Sequence, residues 1–169
     1  AGDSLPFLYL SDAVIKLVNS SGSRFVPVQD FILSPGKTAL QKNEIVSNIL
    51  IPFMRSNIDY YRKVGTRKAN ALSKLSVAGS AFIEDSQIID FRVAFGAVAP
   101  TVIRDKKLEQ EIIGINVTQV HLRIDDIVEK YRQLIKPITD QRSTEEYRRE
   151  TAIALLRDFL LKISGAESF

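Results

Sequence analysis

Residues 74–100, "KLSVAGSAFIEDSQIIDFRVAFGAVAP", carry the pattern that decides the fold. Leu75, Val77, Ala81 and Ile83 alternate with their neighbours, and Ile89, Phe91, Val93 and Phe95 do the same further on. A period of two puts alternate side chains on one face of an extended chain. The short polar "EDSQ" between the runs predicts a hairpin turn joining two antiparallel strands. The period then changes. Helices are expected over about 101–113, 120–135 and 144–163. Gly114 should end the first and Pro137 the second, while Ser143 and Glu146 have the spacing of a capping box for the third. Ile124, Ile127, Val128, Tyr131, Leu134 and Ile135 share one stripe of the second helix. Ala152, Ile153, Leu155, Leu156, Phe159, Leu160 and Ile163 keep helical spacing on the third.

Upstream, "DAVIKLVNSSGSRFVPV" predicts another hairpin, with Ala13, Ile15 and Leu17 on one face and the turn at Ser20-Ser21-Gly22-Ser23. Pro27 has no amide hydrogen, so the second strand should lie at an edge or end early. "VQDFIL" suits one short helical turn. A strand should follow through "EIVSNILIP", closed by Pro52. Residues 53–59 suggest a connection, and a strand is expected at 59–65. Strands first and helices last argue an α+β fold, with a break near 53–58 and no internal repeat.

Composition excludes several functions. The 169 residues hold no cysteine, so no disulfide, thiolate zinc site or iron–sulfur cluster is carried by this chain. His121 is the one histidine, which removes His-rich metal sites and leaves it a surface or capping role. No metal site and no catalytic residue is assigned. A net charge of +3, with basic residues interleaved among acidic ones, argues against nucleic acid as a partner. No apolar run approaches the roughly 20 residues of a membrane span. No signal peptide is evident, and a cytoplasmic home is expected. A first residue of Ala1 suits a mature product, a tagged product or a fragment.

Two stretches invite chemistry. "SPGKTAL", residues 34–40, ends like a phosphate-binding loop. The full pattern needs a glycine five residues before Gly36, and Phe31 stands there. The residues after Thr38 lead to a strand rather than to a helix N-terminus, so a tight turn with Pro35 fixing φ is expected instead. The carboxylates Asp105, Asp125-Asp126 and Glu145-Glu146 fall where helix ends and solvated faces put them. "YRKVGTRKA" gathers Arg62, Lys63, Arg67 and Lys68 around Gly65 and Thr66, either as a solvated loop or as an anion or cofactor contact.

Five stretches together carry a family resemblance: "AGDSLPFLYLSDAVIKL", "FILSPGKTALQKNEIVSNILIP", "YYRKVGTRKANALSKLSVAGSA", "FRVAFGAVAPTVIR" and "RSTEEYRRETAIALLRDFL". In this order they resemble the FAD-binding (medium) subunit or domain of the molybdenum hydroxylases, the xanthine dehydrogenase and carbon monoxide dehydrogenase flavoproteins. The resemblance covers the C-terminal portion of that subunit, without the N-terminal half whose glycine-rich loops hold the FAD pyrophosphate. It implies the back part of the central FAD-binding subdomain over 1–55 and the flavoprotein C-terminal domain over 58–165. The latter is a small antiparallel sheet packed on a three-helix bundle. Asp3, Val46 and Lys63 match family flavin contacts. "GAVAPTVIR" and "RSTEEYRR" match hallmarks without a cofactor role, with Arg104, Arg142 and Tyr147 as candidate polar anchors. The resemblance further implies FAD in the complete protein, bound weakly or not at all by this portion. It implies partner subunits carrying the molybdenum cofactor and 2Fe–2S clusters, with NAD or another acceptor taking the electrons. A non-catalytic docking module that does not bind FAD by itself is the alternative.

Overall fold

The computed structural model describes residues 2–67 and 71–165, so Lys68 of the cationic stretch lies outside the described residues. In chain order the elements are α1 Leu5–Leu10, β1 Val14–Asn19, β2 Gly22–Pro27, α2 Val28–Phe31, β3 Ile32–Ser34, β4 Lys37–Thr38 and β5 Ile45–Leu50. They continue with β6 Ile58–Val64, β7 Leu75–Glu84, β8 Gln87–Gly96, α3 Lys106–Gln110, α4 Val117–Leu134 and α5 Glu145–Ser164. Three antiparallel sheets result, ordered β2-β1-β5, β3-β4 and β6-β7-β8. The α+β expectation holds.

The β7–β8 hairpin is the centre of the fold. It turns at Asp85 and Ser86, both left-handed at φ 48° and 61°. Two successive positive-φ residues give a turn whose twist matches that of the flanking strands. A bulge between Phe82 and Ile83 then sets Ile83 opposite Ile88. The extra residue flips the alternation at this end, so Ile88 is buried and Ile89 is exposed. The sequence pattern had placed Ile89 on the core face.

Both faces of the hairpin are covered. On one, Leu75, Val77, Phe91, Val93 and Phe95 meet α4 and α5. Phe159 lies directly on the backbone there: a methyl on Gly79 would stand 2.5 Å from its ring. Its ring stacks on Phe91 at 5.5 Å and meets Tyr60 at 5.3 Å. On the other face the small residues Ser76, Ala78, Ala94 and Gly96 pair across the two strands. They admit α1, and a methyl on Gly96 would come within 2.8 Å of Pro6. Ala94 thereby joins a second, smaller core with Tyr9, Leu10, Ile15, Leu17 and Val28.

The helices depart from expectation at their starts. Residues 101–105 are not helical, because Ile103 exchanges two backbone hydrogen bonds with Phe95, at 2.9 and 3.0 Å. The helix begins only at Lys106, where Asp105 accepts from the amides of Lys107 and Leu108. Gly114, at φ 87°, follows a turn and donates its amide to Ile88 at 2.8 Å. The third helix is capped by Thr144, whose hydroxyl accepts from Tyr147 N. Ser143 instead pairs its backbone with Asp140.

Candidate functional site

Asp3 stands just before α1, where the packing of Pro6 on Gly96 fixes the chain. Lys63 lies on β6, paired with Ser76 of β7. Folding brings these residues, 60 apart in sequence, into contact: Lys63 Nζ donates to Asp3 Oδ2 at 2.5 Å. Ser73 Oγ donates to the other carboxylate oxygen. Tyr61 OH donates to the Asp3 backbone carbonyl at 3.2 Å. The hydrogen bond from Lys63, then that from Ser73, hold the Asp3 carboxyl below the usual carboxylate range. The pair remains solvent-accessible, with the lysine side chain 31% and the aspartate 45% exposed.

A cleft of about 430 Å³ opens beside this group. Gly2, Asp3 and Ser73 line one wall, and residues 34–38 of the β3–β4 turn line another. Gly96, Ala97 and residues 99–102 complete it, with Ile138, Asp140, Arg142 and Arg148. The two hallmark segments, "GAVAP" and "RSTEEYRR", therefore converge on the cleft that Asp3 borders. Ala97 holds φ 62° there, a left-handed conformation that a residue with a Cβ adopts at a cost. Arg148 is buried at the base. Its two terminal nitrogens donate to Ile138 O at 3.2 Å and Asp140 Oδ1 at 2.6 Å, while its Nε is buried without a protein partner. The Arg148 hydrogen bond, ahead of the amides of Arg142 and Ser143, lowers Asp140 to about 2.

The remaining expectations divide. Val46 lies on β5 opposite Leu17, exposed, and is not among the cleft's lining residues. Residues 34–38 form a hairpin turn with Gly36 at φ 71°, as the missing leading glycine predicted. Arg104 is a buried anchor, bonded to Glu109, Asp12 and Tyr9 O. Arg142 borders the cleft, and Tyr147 is exposed with Lys74 over its ring at 4.9 Å. The buried arginine of that motif is Arg148, which the sequence reading passed over along with Ser73. No group of three or more His, Asp or Glu is arranged to hold a metal among the described residues. No described helix is long and apolar enough to cross a membrane.

Two families match the sequence. "CO dehydrogenase flavoprotein C-terminal domain" covers residues 60–163, and "FAD binding domain in molybdopterin dehydrogenase" covers residues 1–54. The chain belongs to the molybdenum hydroxylase flavoprotein family. This flavoprotein chain is 32% identical over 155 residues to the glyceraldehyde dehydrogenase medium chain of Sulfolobus acidocaldarius, covering 92% of itself and 54% of that relative. It is 28% identical over 150 residues to a xanthine dehydrogenase FAD-binding subunit of Escherichia coli O157:H7, covering 88% and 51%. Its fold matches reconstituted CO dehydrogenase from Oligotropha carboxidovorans with a TM-score of 0.83 at 20% identity, over 98% of this chain and 56% of that one. Quinoline 2-oxidoreductase from Pseudomonas putida 86 matches at 0.77 and 19%, over 94% and 54%. The chain thus spans about half the length of the relatives it matches.

The side chains present suit one part of a flavin cofactor. Lys63 gives one of its three ammonium hydrogens to Asp3 and has donors left for a ring carbonyl, whereas the single hydroxyl hydrogens of Ser73 and Tyr61 both go to Asp3. The Gly36-Lys37-Thr38 turn sits in a hairpin and lacks the helix N-terminus that would hold phosphates.

Proposed function

We propose that this chain is the ring-holding portion of a molybdenum hydroxylase flavoprotein subunit, with Asp3, Val46 and Lys63 as its flavin contacts. In this reading residues 1–55 belong to the central FAD-binding subdomain and residues 58–165 form the flavoprotein C-terminal domain. Electrons reach the subunit from iron–sulfur clusters on one partner, originating at a molybdenum cofactor on another, and leave to NAD or a different acceptor. The observation that carries the reading is the contact of Lys63 with Asp3, which itself lines a cleft bordered by both hallmark segments.

FAD, when bound, supplies a two-electron store that a cluster can fill one electron at a time. The chain's own residues set its surroundings. Lys63 presents a compact ammonium charge, which favours negative charge on whatever ring edge it faces. Asp3 and Ser73 orient that ammonium, and Tyr61 fixes the Asp3 backbone. The cleft beside them offers Lys37 and Arg142 to an anionic acceptor.

Flavin fluorescence quenching and thermal shift test the proposal. The chain alone should bind FAD weakly or not at all. Together with the missing half it should bind, and Lys63→Ala or Asp3→Ala should weaken that binding and shift the flavin potential. A full-length protein that keeps its FAD affinity and potential with both substitutions would sink the assignment. All six residues of β5 are exposed, Ile45, Ile49 and Leu50 among them, which favours a second reading, a docking module with no flavin of its own. Stoichiometric co-purification of a colourless complex would select it.

A further inference from the structure

We propose that the cleft beside Asp3 is a binding site for a small organic acid, a single carboxylate on a compact apolar body, held across the junction of the two matched regions. The inference rests on the cleft itself and not on the flavin reading.

Both regions supply walls. Leu5, Ile32 and the β3–β4 turn come from residues 1–54, whereas Ser76, residues 99–102 and Arg142 come from residues 60–163. Ligand sites favour such junctions. At about 430 Å³ the space lies at the small end of the range for ligand pockets, roughly 300–1,000 Å³. It suits a compact molecule better than a dinucleotide.

Charge selects the sign of the occupant. Two carboxylates line the cleft, and each is already matched: Asp3 by Lys63 and Asp140 by Arg148. Lys37 and Arg142 line it too, and among the described residues neither side chain has an ion pair or a hydrogen bond. The lining thus carries two uncompensated positive charges. Both stand on pinned backbone. Lys37 follows Gly36, left-handed at φ 71°, and pairs with Ser34 across the hairpin. Arg142 donates its amide to Asp140 Oδ1 at 2.8 Å. A guanidinium fork and an ammonium point charge held in this way fit a carboxylate. A phosphate chain is less well served. The turn leads into β4 rather than a helix, and α5, which supplies Arg148, opens with Glu145 and Glu146.

The rest of the lining sets the body. Leu5, Ile32, Pro35, Pro100 and Val102 present apolar surface. Ser76 is 2% exposed, and its hydroxyl has no hydrogen bond among the described residues. That hydroxyl lies beside Gly96 of the same lining, where an added methyl would stand 2.6 Å from Ser76 Oγ. A buried hydroxyl without a partner is unfavourable, and an oxygen of the occupant satisfies it. Ala97 holds φ 62° in the wall. The other described non-glycine residues of that conformation are Asp12, Asp85 and Ser86, whose polar side chains can bond locally, as alanine cannot. Strain of this kind clusters at ligand sites. An acid seated here takes up the cations offered to an anionic acceptor and competes with it; that consequence alone rests on the acceptor reading.

2-Naphthoate is the probe, with 2-naphthamide and inorganic phosphate as controls that keep the ring or the charge alone. The chain is titrated without FAD and followed by naphthoate fluorescence and by amide chemical shifts. Saturable one-to-one binding is expected, with shifts at residues 34–38 and 96–102. Each control should bind on the order of tenfold more weakly or less. Lys37→Glu/Arg142→Glu, at two exposed positions, should weaken naphthoate on the order of tenfold or more and leave the thermal midpoint unchanged. Equal binding of naphthamide shows an apolar crevice only and overturns the proposal. Phosphate binding as tight as naphthoate shows an adventitious ion only and overturns it too. So do affinity retained in the double variant, shifts confined to other residues, or no saturable binding. A full-length flavoprotein that fails to hold FAD counts against the flavin reading and leaves this result untouched.

Discussion

Removing the Arg104 guanidinium tests how α1, and with it Asp3, is held to the body of the molecule. The Arg104 side chain is 6% exposed. Its Nε and Nη2 donate to Glu109 at 2.9 and 3.0 Å, and its Nη1 donates to Tyr9 O at 2.5 Å and Asp12 Oδ1 at 3.0 Å. In Arg104→Met the buried Glu109 keeps one described partner, the Val93 amide at 3.0 Å. Leaving a buried charge without its partner costs about 3–5 kcal/mol. At roughly 2–4 °C per kcal/mol for a chain of this size, the thermal midpoint should fall by roughly 6–20 °C. The loss should depend on pH. Burial already pushes the Glu109 carboxyl up against the opposing pull of Arg104, and without Arg104 the rise grows. A carboxyl whose folded pKa exceeds its unfolded value binds its proton preferentially in the folded state, so the variant recovers stability as pH falls towards the unfolded value of about 4.3. Urea unfolding of wild type, Arg104→Met and Arg104→Met/Glu109→Gln at pH 7 and pH 5 checks each step. Gln keeps an acceptor for Val93 and carries no charge, so the double variant should regain more than half the loss. A single-variant loss below about 1 kcal/mol, or one equal at the two pH values, refutes the reasoning.

Gly79→Ala should destabilise by about 1–3 kcal/mol or more, because the new methyl falls 2.5 Å from the enclosed Phe159 ring. Chemical denaturation reads this, and Phe159→Leu in the same chain should return part of the loss. Glu44 is lowered to about 2, first by the Arg24 hydrogen bond and then by the Gln41 amide. Its folded pKa lies below its unfolded value, so its contribution is present above about pH 4.5 and lost as pH falls towards 2. Hydrogen exchange around residues 24 and 39–44 should therefore quicken on acidification in wild type and show a much flatter pH dependence in Glu44→Gln.

What could be read in the sequence was whatever short-range periodicity determines. The second hairpin was legible because Phe91, Val93 and Phe95 alternate without interruption. Its distal register was not, since Ile88 and Ile89 are both apolar and only the turn geometry and the bulge decide which faces inward. Residues 101–105 suit the start of a helix, yet pairing of Ile103 with Phe95 overrides local preference. The site was less legible still. From residues alone the "YRK" stretch showed only an excess of cations, and the link to Asp3 came through the family resemblance. Ser73 has no spacing signature. Arg148 did have one: it lies four residues before Ala152 and eight before Leu156, on the buried stripe of α5, where an arginine needs partners.

The two cations that tie α1 and its flanks to the rest of the chain, Arg104 through Tyr9 O and Asp12 and Lys63 through Asp3, have opposite characters. Arg104 is enclosed, bonded to Glu109 through Nε and Nη2, and that pair is costly to open. Lys63–Asp3 is half in solvent, and a pair of that kind contributes about 0–1 kcal/mol, so opening it costs little. An anionic group arriving beside Lys63 replaces one carboxylate by another negative partner and leaves Asp3 its Ser73 hydrogen bond. Burial thus assigns the roles. Arg104 holds the chain beside Asp3 in place, and the more exposed Lys63 is the cation whose partner can be exchanged at little cost.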